Sequence, residues 1–154
     1  MKIRDLLSAE SVIYPIRATS KKQVLEELAS HAANISGHNQ RSIFDVILER
    51  ERLGTTGIGR GVAIPHGKLP DLNRLYGVFG KLEKPVNFEA VDHQNIDLIF
   101  LLIAPESSGA DHLQALSRIS RLFRNSDFCK KLRATNNQNL LHKLLLDQAE
   151  PSSI

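Results

Sequence analysis

The sequence predicts an α/β fold in a single domain, and three observations carry that reading. Capped stretches with apolar residues at helical spacing alternate with short apolar runs of strand length. The longest apolar run, Leu98 to Ala104, suits a buried strand and falls far short of the roughly 20 residues needed to cross a bilayer. A chain of 154 residues with 42% hydrophobic content can bury one core without disulfides or metals. The domain is expected over residues 1–150, with 151–154 as a loose tail.

The elements follow in order. Met1 to Glu10 holds no apolar run of signal-peptide length, so no export is expected. Ser20-Lys-Lys-Gln23 forms a capping box, and Val24, Leu25, Leu28, Ala32 and Ile35 recur at helical spacing until Gly37 ends the first helix. Asn39 caps a second helix in which Ile43, Ile47 and Arg50 stand three or four apart. Arg50 therefore shares the apolar face at the helix end, while Glu49, Glu51 and Arg52 point elsewhere. Gly61 to Ile64 reads as a short strand and Leu75 to Leu82 as a longer one, after a turn at Pro70-Asp-Leu-Asn73. Pro85 to Phe88 reads as an edge piece because proline lacks a ladder donor, Asp92-His-Gln-Asn95 as a turn, and Ile96 to Ala104 as the buried strand. After Pro105 to Gly109 a helix is expected with Asp111 as its cap and His112, Leu116, Ile119 and Phe123 on one face. Residues 126–134 and 139–149 give two more helices, the last with Leu140, Leu141, Leu144 and Leu145 as its apolar face.

Chemistry concentrates in the stretch from Leu53 to Lys68. Pro65 fixes its own φ and pushes Ile64 toward extended geometry, and Gly67 frees the next peptide, so the His66 imidazole stands on a rigid stem. Gly57, Gly59 and Gly61 can turn backbone N–H groups toward an anion, and Thr55 and Thr56 add hydroxyl donors. Two readings are open: a phosphoryl cradle beside a nucleophile, or a strand-turn-strand connector. Arg50, on a helix running into this segment, either reaches a bound anion or pairs with a neighbouring carboxylate. His112, near a helix N-terminus, is either a neutral donor to an anion or a satisfied core histidine.

Other chemistries are poorly supported. Leu69 follows Gly67-Lys68 where a Walker loop needs Ser or Thr, and Val62 stands where a dinucleotide fingerprint needs its third glycine. The histidines at 31, 38, 66, 93, 112 and 142 form no i, i+3 or i, i+4 pair, so no metal is expected. Neither is Ser–His–Asp hydrolysis, because Gly-x-Ser-x-Gly is absent. The lone Cys129 excludes an internal disulfide and fits a reducing, cytoplasmic compartment. The net charge of +3 reflects one basic cluster, Arg118, Arg121, Arg124, Lys130, Lys131 and Arg133, against Asp127 alone. Without interleaved aromatics it reads as a solvated helix face, an acidic protein partner being the next reading and nucleic acid the last.

The run Arg50-Glu-Arg-Leu-Gly-Thr-Thr-Gly-Ile-Gly-Arg-Gly-Val-Ala-Ile-Pro-His-Gly-Lys68, with Asp111-His-Leu-Gln-Ala-Leu-Ser117, resembles the mannitol/fructose-type enzyme IIA family of the phosphoenolpyruvate phosphotransferase system. The likeness is strongest to its stand-alone nitrogen-regulatory branch. The resemblance implies a sandwich with a central mixed parallel/antiparallel sheet and helices on both sides. It implies no cofactor, and phosphorylation of His66 by a phosphorylated HPr-like carrier protein, with Arg50 and His112 supporting the phosphoryl group. Some nitrogen-regulatory members carry another histidine where this chain has Gln114. Regulatory target proteins are then the expected partners, without membrane insertion or nucleic acid, and a weak homo-oligomer is left open. The alternative is a sugar-transport enzyme IIA that passes phosphate to a IIB domain. Exposed apolar contacts for a partner are expected at Ile58, Val62 and Leu69.

Overall fold

The computed structural model of the chain describes residues 2–149; the expected loose tail lies outside the described residues. Two short 3-10 turns, Ile3–Leu6 and Ala9–Ser11, lead into β1 (Val12–Ile16), α1 (Lys21–Ser36), α2 (Gln40–Leu53), β2 (Gly57–Gly59), β3 (Val62–Ala63), β4 (His66–Leu69), β5 (Tyr76–Val86) and β6 (Ile96–Pro105). A third 3-10 turn, Glu106–Ser108, precedes α3 (Ala110–Phe123), α4 (Ser126–Ala134) and α5 (Gln138–Ala149). The strands form one mixed sheet in the order β1-β5-β6-β3-β2, with β4 also paired to β6. β1 runs parallel to β5, β5 antiparallel to β6, and both β3 and β4 parallel to β6.

The strand β6 organises the core because it is apolar on both faces. Ile99, Leu101 and Ile103 pack with Val24, Leu25 and Leu28 of α1 and Ile43 and Ile47 of α2. The alternate residues Leu98, Phe100, Leu102 and Ala104 pack with Ile119 and Phe123 of α3, Phe128 and Leu132 of α4, and Leu141 and Leu145 of α5. Helices therefore cover both sides of the sheet, as the α/β reading expects. At about 1.5–3 kcal/mol per buried large apolar side chain, these two layers supply the main driving force for folding.

The helix starts obey their local chemistry. The Ser20 hydroxyl accepts from the Gln23 N–H, and the Gln23 side chain reaches back to the Thr19 N–H. Gly37, at φ 75°, ends α1, and Asn39 accepts from the Ser42 N–H to open α2.

Several expectations are corrected. β1 was not expected, because Pro15 interrupts its apolar run; at the sheet's edge, with a register shift between Ile13 and Ile16, the missing donor is tolerated. Pro85 is no separate edge piece but lies within β5, where the register to β6 slips between Lys81 and Val86. Gly109, at φ 58°, holds the N-cap position of α3, which puts Asp111 inside the first turn. Leu140, expected on the apolar face of the last helix, faces solvent.

Candidate functional site

β3 and β4 are two pieces of one run along the same side of β6. Val62 and Ala63 pair with Leu98 and Ile99, and His66 to Leu69 pair with Leu102 to Pro105. Pro65 interrupts the run, yet its carbonyl still accepts from the Leu102 N–H. His66 is thus the first residue of a strand and not a loop residue. Alternation turns Gly67 and Leu69 toward α2 and His66 and Lys68 the other way.

Gly67 serves packing and not backbone freedom: a Cβ there would run into Val46 Cγ1 of α2. That closeness matters because Arg50 lies one turn beyond Val46 on the same helix. With α2 seated against β4, the Arg50 Nε–H reaches His66 Nε2 at 3.3 Å, and its Nη1 donates to the Gly54 carbonyl at 2.9 Å. On the other side of the ring His66 Nδ1 lies 2.8 Å from the Ile64 carbonyl. A carbonyl only accepts, so Nδ1 carries the proton, and in the neutral ring Nε2 holds the lone pair.

α3 brings the second histidine. His112 is 7% exposed, and its ring centroid lies 5.7 Å from that of His66 with the planes at 50°. His112 Nδ1 is buried without a hydrogen-bond partner among the described residues, and so is Ser108 Oγ just before the helix. Burial lowers the pKa of His66; the Ile64 hydrogen bond raises it and the Arg50 charge lowers it. Burial also lowers that of His112, helped by His66 and Lys68. Both rings are therefore neutral near pH 7. A neutral imidazole with a fixed tautomer, its Nε2 lone pair directed at a guanidinium, is a competent nucleophile toward an electrophile carrying negative charge once that donor turns to the electrophile.

The structure brings Arg50, His66 and His112 together and assigns the threonines and glycines to other tasks. Thr55 Oγ1 donates to the Phe88 carbonyl at 2.6 Å and accepts from the Gly57 N–H at 3.1 Å. Thr56 gives both its N–H and its hydroxyl to the carboxylate of Glu51, at 2.9 and 2.6 Å. Gly57 packs on Ala90, where a Cβ would come within 2.8 Å of the alanine's own. Gly59, at φ 100°, lies beside the Asp92 carboxylate, and Gly61, at φ 79°, beside Arg133 and Asp97. Of the expected cradle of Thr55, Thr56, Gly57, Gly59 and Gly61, both hydroxyls and the Gly57 N–H are thus already engaged within the chain.

Glu51 is the buried neighbour of Arg50 that periodicity missed. Expected to point outward, its side chain is 2% exposed and pairs with Lys21 Nζ at 2.8 Å. The signal available was its position one residue past Arg50, at a helix end where a carboxylate needs a partner. Val62 and Leu69, expected at a partner-facing rim, are fully buried, whereas Leu53, Ile58 and Leu113 are exposed. Arg133 is not a free member of the basic cluster, because it holds Asp97 with two nitrogens. Among the described residues no three His, Cys, Asp or Glu side chains stand as a metal site, and no helix is long and apolar enough to cross a membrane.

Comparison with known proteins adds four findings. Residues 5–148 match the family model "Phosphoenolpyruvate-dependent sugar phosphotransferase system, EIIA 2". A nitrogen regulatory protein of Bradyrhizobium diazoefficiens is 51% identical over 145 residues, covering 94% of this chain and 95% of that protein. The fructose-specific EIIABC component of Bacillus subtilis is 32% identical over 142 residues, 92% of this chain but only 22% of that larger protein. The crystal structure of the nitrogen regulatory protein IIA-Ntr from Neisseria meningitidis superposes with a TM-score of 0.87 at 30% identity, covering 93% of this chain and 98% of that one.

Proposed function

The chain belongs to the EIIA 2 family of the phosphoenolpyruvate-dependent sugar phosphotransferase system, and from that premise we propose that it is a regulatory phosphocarrier whose acceptor atom is Nε2 of His66. The observation that carries this is the pair of hydrogen bonds on one ring. Ile64 holds the proton on Nδ1, which leaves the Nε2 lone pair to Arg50 and to an incoming electrophile.

The step follows from that arrangement. The Nε2 lone pair attacks the phosphorus of a phosphorylated histidine on a carrier protein similar to HPr. The donor's P–N bond breaks with its electron pair returning to the donor imidazole, and the proton on Nδ1 of His66 stays in place. Such transfer relies on positioning and charge stabilisation, with no metal required of this chain. Once Nε2 is bonded to phosphorus, the Arg50 Nε–H loses its acceptor and turns to a phosphoryl oxygen. His112 offers its unpartnered nitrogen as a second donor.

The carrier would dock on exposed apolar residues flanking the site, Leu53 one turn past Arg50 and Leu113 beside His112. Phosphorylation places about two negative charges next to Arg50 and Lys68, and target proteins can read that inversion. The regulatory reading is favoured over sugar transport by similarity to nitrogen regulatory proteins along nearly their full length. The fructose-specific relative keeps transfer to a IIB domain as the second reading.

The test is phosphoenolpyruvate-dependent labelling with the general phosphotransferase components. The parent chain should take up an acid-labile phosphoryl group and a folded His66→Ala variant none. Undiminished labelling of that variant would refute the assignment.

A further inference from the structure

The segment that reads as an anion cradle has a different relation to His66, and it begins at a buried charge. Glu51 sits in the last turn of α2, where the helix dipole disfavours a carboxylate, and its side chain is almost fully removed from water. It is kept there by three donors: Lys21 Nζ at 2.8 Å, the Thr56 N–H at 2.9 Å and the Thr56 hydroxyl at 2.6 Å. The two bonds to Thr56 also tie the chain leaving α2 back onto the helix. From Thr56 the connection continues without a gap. The Thr56 carbonyl accepts from the Ile64 N–H at 3.0 Å, and the carbonyl of Ile64 accepts from His66 Nδ1 at 2.8 Å. The same held segment contains Gly54, whose carbonyl takes one arm of the Arg50 guanidinium.

We propose that Glu51 is a positioning residue for His66: through Thr56 and the peptide of Ile64 it fixes which imidazole nitrogen carries the proton, and through Gly54 it fixes the reach of Arg50. The inference rests on the reading of His66 as the phosphoryl acceptor, but its first consequence does not. If the Thr56 anchor loosens, the Ile64 N–H loses its partner, the Ile64 carbonyl is held less firmly against the ring, and the imidazole gains access to its other tautomer. That tautomer has its proton on Nε2 and its lone pair on Nδ1, so the nitrogen beside Arg50 can no longer attack.

The experiment is long-range 1H–15N correlation NMR of the unphosphorylated, 15N-labelled protein, read beside the rate of phosphoryl transfer. The parent should show His66 as a single neutral tautomer with its proton on Nδ1. Glu51→Ala should move both ring nitrogens toward a mixture of tautomers and slow transfer by up to about 10²-fold, the scale of a misplacement transmitted from outside the reacting centre. Glu51→Gln keeps an acceptor for Thr56 and should restore the tautomer and most of the rate. Thr56→Val leaves the carboxylate paired with Lys21 and the Thr56-position N–H, so the charge stays compensated. It should give an intermediate shift, and it decides the matter if Glu51→Ala does not fold. The proposal is overturned if His66 keeps the parent's ring-nitrogen shifts in Thr56→Val and in any folded Glu51→Ala protein. Because the NMR reading needs no donor, a chain that takes up no phosphoryl group refutes the functional reading and leaves this result standing.

Discussion

Residues 54–61 and residues 62–68 adjoin in one stretch rich in glycine, yet their polar groups have opposite fates. In the first segment Thr55 and Thr56 are committed to Phe88 and Glu51, the Gly57 N–H to Thr55, and the Arg60 N–H to Asp92. In the second, His66 Nε2 accepts from Arg50, and beside it His112 brings a buried nitrogen with no partner among the described residues. The difference teaches that donor-rich composition does not identify an anion site. Buried polar atoms left without a partner beside a nucleophile are the better guide, since those are costly unless a ligand completes them.

The contrast can be broken first where its largest effect lies. Arg50→Ala and His112→Ala should each slow phosphoryl transfer by about 10²-fold, the usual cost of losing one preorganised donor to developing charge. Quench-flow transfer from a phosphorylated carrier measures it. Normal rates in both variants would place the site's electrostatics elsewhere.

An intermediate effect is expected from geometry alone. Gly67→Ala drives a methyl group into Val46, costing about 1–3 kcal/mol and pushing α2, with Arg50, off the strand. Transfer should fall and then recover when Val46→Ala is added, which makes room for the new methyl. Failure of the double variant to recover would mean that Gly67 acts through its backbone instead of its lack of a side chain.

These two predictions mark what was legible in advance. The caps at Ser20 and Asn39 and the stop at Gly37 are local hydrogen-bond chemistry, so both helices, and with them the inward face of Arg50, could be read directly. β6 was legible because both its faces are buried and its run is continuously apolar. β4 was not, since His66-Gly-Lys-Leu69 has no alternating pattern and owes its strand geometry to pairing with β6. β1 was hidden by Pro15 for the same kind of reason: sheet position, not local preference, decides whether proline is tolerated. Glu51 was invisible because charged residues are read outward by default, and only the contacts of Lys21 and Thr56 show why this one is turned in.

The smallest expected effect sharpens the contrast from the other side. Thr55→Ala removes the bonds to Phe88 and Gly57 and should lower stability by about 1 kcal/mol for each, measured as a denaturant midpoint. The transfer rate should stay that of the parent. A loss comparable to that of Arg50→Ala would return the first segment to the site.

Whether Nε2 of His66 is the acceptor atom is read from 31P and 1H–15N NMR of the phosphorylated protein. We expect a single phosphoryl group bonded to Nε2 of His66, with Nδ1 still protonated. A phosphoryl group on Nδ1, on His112 or on any residue of 54–61 would contradict the account.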